Sequence, residues 1–252
     1  MNKIKIMVHG CNGAMGQEVI KVIKKTEEVQ VFCGVDKHEQ KLDEFMVYNK
    51  YSDIQGKPDV IIDFSIPQAS LNVLEYAKNN NIPIVIATTG FNSEQLNVIE
   101  EYSDSIPIFK SNNMSVEINL MCKIVSDIAK VLNNSDIEIL ETHHNRKVDS
   151  PSGTALMLAE SINKARNGEM HYELDRHNKR QKRAKNEIGI SSIRGGNIVG
   201  EHSVIFFGEN ESFEIKHTSY SRTVFAEGAL NAAKFLINKN NGLFDMNDLL
   251  QN

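Results

Sequence analysis

Short apolar runs alternate with helical patterns in the first half of the chain. The runs are rich in β-branched and aromatic residues, as buried parallel strands are, and they cover residues 4–8, 29–35, 60–64, 82–87 and 106–109. Amphipathic patterns typical of helices lie between most of them, at 15–25, 68–78 and 94–102, with start signals at Ser65, Pro67 and Ser93. Residues 37–57 contain no convincing helix, so this crossover is predicted to be abbreviated. The alternation predicts an α/β fold with a doubly wound parallel sheet.

The pattern changes after Asn113. A helix is predicted over 116–132, a strand over 137–141, a helix that opens near Ser152, and strands over 188–194, 202–207 and 212–218. This order is typical of an α+β domain with an open-faced sheet. A last helix over 224–237 carries small residues that allow close packing, so we expect it to return to the first domain. The predicted division is 1–113, with 223–252 packed back on it, and 114–222.

Composition restricts the class of protein. A chain of 252 residues with 40% hydrophobic content can bury a large core without cross-links. Cys11, Cys33 and Cys122 show no disulfide or zinc spacing, and the other histidines are dispersed, so reduced thiols and no metal site are expected. The sequence shows no signal-peptide pattern and no apolar stretch of membrane-spanning length. We therefore expect a soluble, cytoplasmic protein that does not bind membranes.

The net charge of −5 argues against a nucleic-acid binder, because such binding depends on neutralising phosphates. One basic run, residues 176–185, holds six Lys or Arg in ten positions. It is typical either of a solvated loop or of a positive field that attracts an acidic substrate.

A glycine-rich loop follows the first predicted strand and opens the first predicted helix. Its glycines suit a tight turn, close approach of a pyrophosphate and helix packing on the strand. The predicted cofactor contacts in this loop are Gly10, Cys11, Asn12, Gly13, Ala14, Met15 and Gly16. Asp36 lies twenty residues after Gly16, at the end of the second strand, where an acid contacts the adenosine ribose. These features predict a Rossmann-like dinucleotide site; a glycine-rich turn without a ligand is the alternative.

Asp36 favours NADH, because a carboxylate repels the 2′-phosphate of NADPH. The neighbouring cations Lys37, His38 and Lys41 could accommodate that phosphate, so use of both cofactors is expected, with a bias toward NADH. Two further segments follow the fourth and fifth strands, where open α/β sheets bind ligands. They are predicted to line the nicotinamide pocket, and comprise Ala87, Thr88, Thr89, Ser111, Asn112, Asn113 and Met114. Alternatively, residues 88–90 merely turn the chain.

The segment 143–154 concentrates two imidazoles, two cations and a helix start. Ser152 and Thr154 lie at that start, where unpaired N–H groups and hydroxyls can hold an anion, and Lys147 adds a full charge. A carboxylate suits such a site. A histidine beside it can donate a proton as hydride arrives. Since adjacent strand residues point to opposite faces, His143 and His144 are expected to differ in role, or one of them to be structural.

These residues resemble the dihydrodipicolinate reductase family, whose activity is also called 4-hydroxy-tetrahydrodipicolinate reductase. The similarity runs nearly end to end, and the string 141–154 is its most specific part. It also covers 63–65, 87–91, 194–196, 200–202, 225–229 and 242–246. The chain departs from the family pattern at Ala87, Met114 and Glu117 and in its short 37–57 region.

The resemblance implies an NAD(P)H-dependent enzyme of lysine and diaminopimelate biosynthesis. It implies a nicotinamide-binding domain hinged to a substrate domain that also builds a homotetramer. Hydride would reach C4 of a cyclic α,β-unsaturated imine dicarboxylate, and protonation would then give tetrahydrodipicolinate. His143 would be the general acid, His144, Lys147, Gly153 and Thr154 would contact substrate, and Lys147 could also assist proton transfer. The alternatives are another NAD(P)-dependent reductase of a small acid and a non-catalytic NAD(P)-binding regulator.

Overall fold

The computed structural model describes residues 3–41, 44–177 and 179–251, with the side chains of residues 40 and 41 outside that description. The elements of its first part are β1 (Ile4–His9), α1 (Ala14–Lys25), β2 (Val29–Val35), β3 (Gln40–Lys41), β4 (Met46–Tyr48), β5 (Val60–Asp63), α2 (Pro67–Asn79), β6 (Ile84–Ile86), α3 (Ser93–Ser103), β7 (Pro107–Lys110) and α4 (Val116–Val131). They are followed by β8 (Asp136–His143), α5 (Gly153–Ala165), β9 (His171–Glu173), β10 (Glu187–Arg194), β11 (Gly200–Phe207), β12 (Ser212–Ser219), α6 (Thr223–Leu236), β13 (Gly242–Phe244) and α7 (Met246–Leu250).

Two compact units make up the chain. The first combines the residues up to Val116 with those from Arg222 onward, and the second comprises Glu117–Ser221. The long helix α6 therefore belongs to the first unit. Its Gly228 packs so closely on the Met114 carbonyl oxygen that a Cβ would overlap that atom.

The sheet of the first unit has seven parallel strands in the order β13-β7-β6-β5-β1-β2-β4, and β3 adds an antiparallel edge. Successive residues of β1 point to opposite faces. Ile6 and Val8 pack in a core with α1 and α6, whereas Met7 packs in a core with α2 and α3. Burial on both faces explains the continuous apolar runs of the sequence and confirms the predicted doubly wound parallel sheet.

Strand β1 lies between β2 and β5, so the sheet grows in one direction from β1 and then in the other. Open α/β sheets bind ligands beyond the carboxyl ends of the strands at this switch point. Gly10 and Phe64 directly follow β1 and β5 and occupy this position.

The described residues between β2 and β5 form no α-helix, as the sequence predicted. They include the strand β4, which the sequence did not predict. Strands β9 and β13 were missed too, because three residues are too few to show a two-residue period. The predicted start signal of α3 was wrong by one residue. Asn92, rather than Ser93, caps the helix: its side chain accepts a hydrogen bond from the Gln95 N–H, and the Gln95 side chain accepts one from the Asn92 N–H.

The second unit contains a mixed five-stranded sheet in the order β12-β11-β8-β10-β9. Helices α4 and α5 pack on one face, where Ile137 and Ile139 of β8 are fully buried. Leu140, Ile193 and Phe207 lie on the other face and are 38%, 48% and 42% exposed. The sheet therefore has a face that exposes three large apolar side chains, hereafter the open face, defined by these three residues.

Strand register places polar residues at one end of the helix-covered face. Glu141 and His143 continue the inward alternation of Ile137 and Ile139. Arg194 of β10 pairs with His143, and His202 of β11 pairs with Glu141, so all four side chains share that face. Strand β8 extends two residues beyond its predicted end, and this extension carries His143.

In the described part of the chain, no helix combines the length and apolar character of a membrane span.

Candidate active site

A glycine turn joins the end of β1 to the start of α1. The Gly10 φ angle of 75° lies in the left-handed region, and a Cβ there would overlap the carbonyl oxygen of Phe64. A Cβ on Gly16 would overlap the Gly10 carbonyl oxygen and the Cys11 backbone. Both positions need glycine, because the turn brings backbone against backbone.

The start of α1 offers backbone donors to an anion. Its N-cap, Gly13, supplies no side-chain hydrogen bond. The N–H groups of the first turn, which begins with Ala14 and Met15, have no acceptor within the helix. Asn12, Gly13 and Ala14 are exposed. The loop therefore fits the pyrophosphate of a dinucleotide, which binds at such helix starts.

Cys11 contributes to this loop through its backbone. Its carbonyl oxygen accepts a hydrogen bond from the Gln17 side-chain amide at 2.7 Å. Its thiol is buried against Gly34, and burial, reinforced by the Asp36 charge, raises the pKa of the thiol to about 12. This thiol is therefore a core group and stays protonated.

Asp36 lies just after β2 and contacts the glycine loop. Its two carboxylate oxygens accept hydrogen bonds from the Asn12 N–H at 2.9 Å and the Lys37 N–H at 2.8 Å. The structure thus brings the predicted ribose-binding acid beside the predicted phosphate loop. Lys37 and His38 are exposed, and the side chain of Lys41 lies outside the described residues.

Thr88 lies beyond the end of β6 and points inward. It is 3% exposed, and its hydroxyl donates to Asp63 at 2.9 Å while accepting from the Ser65 N–H at 3.0 Å. Asp63 also binds the Ser70 hydroxyl at 2.5 Å and the His9 ring at 2.7 Å. This buried network joins the ends of β1, β5 and β6. The structure therefore uses the Thr88 side chain to fix the sheet edge, while Ala87 is half-buried and Thr89 is exposed.

The segment after β7 forms a tight turn. The Ser111 hydroxyl donates to the Asn113 carbonyl oxygen at 2.7 Å, and the Asn113 side chain accepts from the Ser115 N–H at 2.9 Å. Asn112 is exposed, where it accepts a hydrogen bond from Lys110. Met114 is only 2% exposed and packs in the core with α6. Its side chain is therefore a core group in the first unit.

The second unit has a charged cluster built around Glu141, which is fully buried. Arg194 binds both carboxylate oxygens, with distances of 2.8 and 2.7 Å. The same carboxylate contacts His143 Nδ1 at 2.5 Å and accepts the Ser152 N–H at 3.1 Å. A carboxylate that faces a bidentate arginine is ionised, so His143 Nδ1 carries a proton and donates it.

The cluster perturbs both pKa values. Burial alone would raise the pKa of Glu141, but hydrogen bonds from Arg194, Ser192 and His143 lower it to about 2. Burial lowers the pKa of His143; Glu141 opposes this change, whereas Lys147 and Arg194 reinforce it. His143 is therefore neutral at physiological pH, with its Nε2 available to take up and release a proton.

Ser152 connects this cluster to the start of α5. Its hydroxyl oxygen accepts the Ala155 N–H at 3.1 Å and lies 3.0 Å from His202 Nε2, within hydrogen-bond distance. Burial, and the repulsion that a protonated His143 would exert, lower the pKa of His202 to about 3. The His143 and His202 rings meet edge to face, with centroids 5.0 Å apart. His202 is therefore a neutral residue that supports both His143 and the helix start.

The predicted substrate contacts surround the same helix start. Lys147 Nζ lies 2.8 Å from the Asp149 carboxylate. Gly153 is the first residue of α5, and a Cβ there would meet no atom within 4 Å, so its backbone is accessible. Thr154 follows in the same turn. The His144 N–H donates to the Ile198 carbonyl oxygen at 2.7 Å, and its buried Nδ1 forms no hydrogen bond within the described part of the chain.

Half of the cations in the basic run are engaged in ion pairs. Arg176 and Lys179 contact the buried carboxylates of Glu187 and Glu173, and Arg183 pairs with Glu138. His171 lies near the two buried carboxylates, close enough for the three side chains to share a cation. Arg176 and Lys179 already neutralise these carboxylates, which opposes metal binding.

The local sequence pattern indicates no role for Glu141, Arg194 or His202. The pattern contained a partial signal, because residues 141 and 143 share one face of any strand that reaches both. The positions of Arg194 and His202 depend on pairing between distant strands, and the order of β8, β10 and β11 cannot be obtained from local periodicity.

Comparison with known proteins covers both units. Residues 4–114 match the family model described as dihydrodipicolinate reductase, N-terminus, and residues 117–250 match its C-terminal counterpart. The chain is 49% identical over 248 residues to a 4-hydroxy-tetrahydrodipicolinate reductase of Caldanaerobacter subterraneus subsp. tengcongensis, covering 98% of each chain. It is 45% identical to the enzyme of that name from Clostridium novyi, covering 98% of both chains.

Solved structures show the same similarity. A dipicolinate-bound dihydrodipicolinate reductase from Paenisporosarcina sp. TG-14 superposes with a TM-score of 0.82 at 25% identity, over 97% of this chain and 98% of that one. A probable dehydrogenase from Thermotoga maritima shares the fold with a TM-score of 0.61 at 10% identity, over 98% of this chain and 92% of that one. The chain belongs to the dihydrodipicolinate reductase family, a family of NAD(P)H-dependent oxidoreductases.

Proposed function

We propose that this chain is a 4-hydroxy-tetrahydrodipicolinate reductase, which reduces a cyclic imine dicarboxylate to tetrahydrodipicolinate for lysine and diaminopimelate synthesis. The observation that carries the proposal is the position of His143. Its ring is held by buried Glu141 beside the start of α5, where Gly153 and Lys147 offer donors to a carboxylate. A proton donor next to an anion site is the arrangement that this reaction requires.

Residues 1–113, with the segment 223–252, form the proposed dinucleotide-binding domain. The N–H groups at the start of α1 bind the pyrophosphate, and Asp36 accepts hydrogen bonds from the ribose. Bound NADH or NADPH supplies the hydride. NADH is favoured by Asp36, while the exposed side chains of Lys37 and His38 tolerate a 2′-phosphate. Residues 87–89 and 111–114, which follow β6 and β7, line the proposed nicotinamide pocket.

Residues 114–222 form the proposed substrate-binding domain. Lys147 and the N–H groups of Gly153 and Thr154 hold the carboxylates, and His144 contacts the ring. Hydride adds to C4 of the imine, both electrons enter the ring, and the resulting anion takes one proton from His143 Nε2. His143 then regains a proton from solvent. Lys147 assists by stabilising negative charge as it develops.

The same domain builds the proposed homotetramer. The open face exposes three large apolar side chains on one sheet surface, and such patches mark interaction sites. A second copy of the chain is the proposed occupant, because symmetric homo-oligomers are the commonest assemblies.

The buried free thiols of Cys11, Cys33 and Cys122 suit a reducing compartment, and we place the protein in the cytoplasm.

The experiment that tests the activity follows the absorbance of NADH or NADPH. The protein is mixed with the freshly formed condensation product of pyruvate and aspartate semialdehyde. We expect substrate-dependent oxidation of both cofactors. If the protein binds NADH and pyridine-2,6-dicarboxylate but oxidises neither NADH nor NADPH, the site binds ligands without turnover.

A further inference from the structure

We propose that Glu141 and Arg194 form an opposed charge pair, in which Arg194 offsets the attraction of Glu141 for a proton on the ring, so that His143 stays uncharged in the free protein and gains its catalytic proton together with the dicarboxylate. The proposal rests on the function assigned above to His143 and to the anion site. Glu141 and Arg194 are positioning residues, because they act on the substrate through the His143 ring.

The partners of the Glu141 carboxylate lie within the cluster, and they include the Ser192 side chain. One oxygen contacts Arg194 and His143, and the other contacts Arg194 and the Ser152 N–H. Burial of the group excludes water from this arrangement. Glu141 therefore fixes the ring orientation and the tautomer, with the proton on Nδ1, as the acidic member of a catalytic triad does.

This tautomer leaves His143 Nε2 as the atom that gains and loses the transferable proton. Nε2 lies near Gly200, where a Cβ would be 3.1 Å away and would crowd it. The absence of a side chain at Gly200 therefore gives this nitrogen room. His202, the ring neighbour of His143, is neutral and adds no charge of its own.

The charge balance around His143 opposes its protonation. The titratable or charged groups that act on it are Glu141, Lys147, Arg194 and His202, and Asp149 pairs with Lys147. The negative charge of Glu141 is already matched by the bidentate Arg194. Since Asp149 likewise matches Lys147, a proton on Nε2 would leave one unmatched positive charge in a partly buried place.

A dicarboxylate reverses this balance. It brings two negative charges to Lys147 and the start of α5, beside His143. An opposite charge within about 4–6 Å shifts a pKa by about 1–3 pH units toward the charged form. The His143 pKa should therefore rise on binding, and the ring should take up a proton before hydride arrives. If His143 becomes protonated only when substrate is bound, it does not repel Lys147 and Arg194 in the free protein.

The first test needs no variant. Calorimetry of pyridine-2,6-dicarboxylate binding at pH 7.5 in phosphate and in Tris, which differ in ionisation enthalpy, gives the number of protons exchanged. We expect net proton uptake at each site, from a fraction of a proton to about one proton, because the ligand should raise the His143 pKa by about 1–3 pH units. His143→Gln should abolish the uptake, whereas His177→Gln, at an exposed histidine of the same unit, should retain it. Binding without proton uptake in the unaltered protein would overturn the proposal.

The second test measures the His143 pKa by NMR of its ring carbons, with His143→Gln to assign the signal. Glu141→Gln should lower this pKa and Arg194→Gln should raise it, each by about one pH unit or more. Arg194→Lys keeps the positive charge, so the His143 pKa in this variant should be near that of the original protein. This variant remains informative if Arg194→Gln fails to fold. Shifts of the same sign in both Gln variants, or none, would contradict an opposed pair.

These measurements separate the two levels of inference. If His143→Gln keeps full turnover while the proton count and opposed shifts are observed, the charge pair stands and the assigned acid is wrong. If His143→Gln loses turnover but the unaltered protein takes up no proton, the assigned acid stands and the charge-pair proposal fails.

Discussion

Replacement of Glu141 by Gln tests whether the buried charge stabilises the second unit. The carboxyl pKa falls from its ordinary value of 4.5 to about 2. A folded-state pKa below the unfolded value means that the group stabilises the fold above pH 4.5 and loses this effect as pH falls toward 2. At about 1.4 kcal/mol per pKa unit, the difference corresponds to about 3 kcal/mol near neutral pH. Breaking a buried ion pair by removing one partner costs a similar amount, about 3–5 kcal/mol.

The assay is urea unfolding followed by circular dichroism at pH 7 and at pH 3. Glu141→Gln should lower the free energy of unfolding by about 3 kcal/mol at pH 7. The deficit should shrink at pH 3, because the original carboxylate has by then lost most of its advantage. Glu169→Gln, at an exposed carboxylate of the same unit, is the matched control and should change little. An equal deficit at both pH values would refute the electrostatic origin and leave lost packing as the cause.

Three further substitutions test the assigned roles. His143→Gln should lower kcat by about 100- to 10,000-fold, the range for loss of a general acid. The Kd for NADH, measured by fluorescence titration, should not change. A nearly normal kcat would show that His143 is not the acid. Asp36→Ala should shift the kcat/KM ratio toward NADPH, and an unchanged ratio would show that Asp36 does not contact the ribose. Leu140→Glu on the open face should reduce the assembled mass in sedimentation, whereas Val131→Glu, at an exposed helix end, should not; unchanged mass in Leu140→Glu would place the assembly surface elsewhere.

The parallel sheet of the first unit could be predicted because its strands are buried on both faces and alternate with amphipathic helices. The glycine loop could be predicted equally well, because its tight turn requires the characteristic spacing of Gly10, Gly13 and Gly16. Met114 shows the limit of such inference. Its position predicts a place in the nicotinamide pocket, and its side chain packs in the core because α6 returns to cover it from a distant part of the sequence, so its backbone is the part left to line that pocket.

The charged cluster of the second unit shows the same limit. The segment 143–154 indicated a proton donor and an anion site, because histidine, lysine and a helix start lie together in the chain. The partners of His143 could not be obtained in that way. Arg194 is about fifty positions away and reaches Glu141 only through the pairing of β10 with β8. The chemistry of the site was therefore visible in sequence, while its electrostatic control depended on strand order.

The fate of the transferred hydride tests the proposed reduction directly. The protein is supplied with NADH carrying deuterium at both C4 positions, together with the imine dicarboxylate, and the product is analysed by mass spectrometry. Hydride transfer from the cofactor should give tetrahydrodipicolinate that is one mass unit heavier and carries deuterium at C4. Tetrahydrodipicolinate without deuterium, or oxidation of NADH without formation of this product, would contradict it.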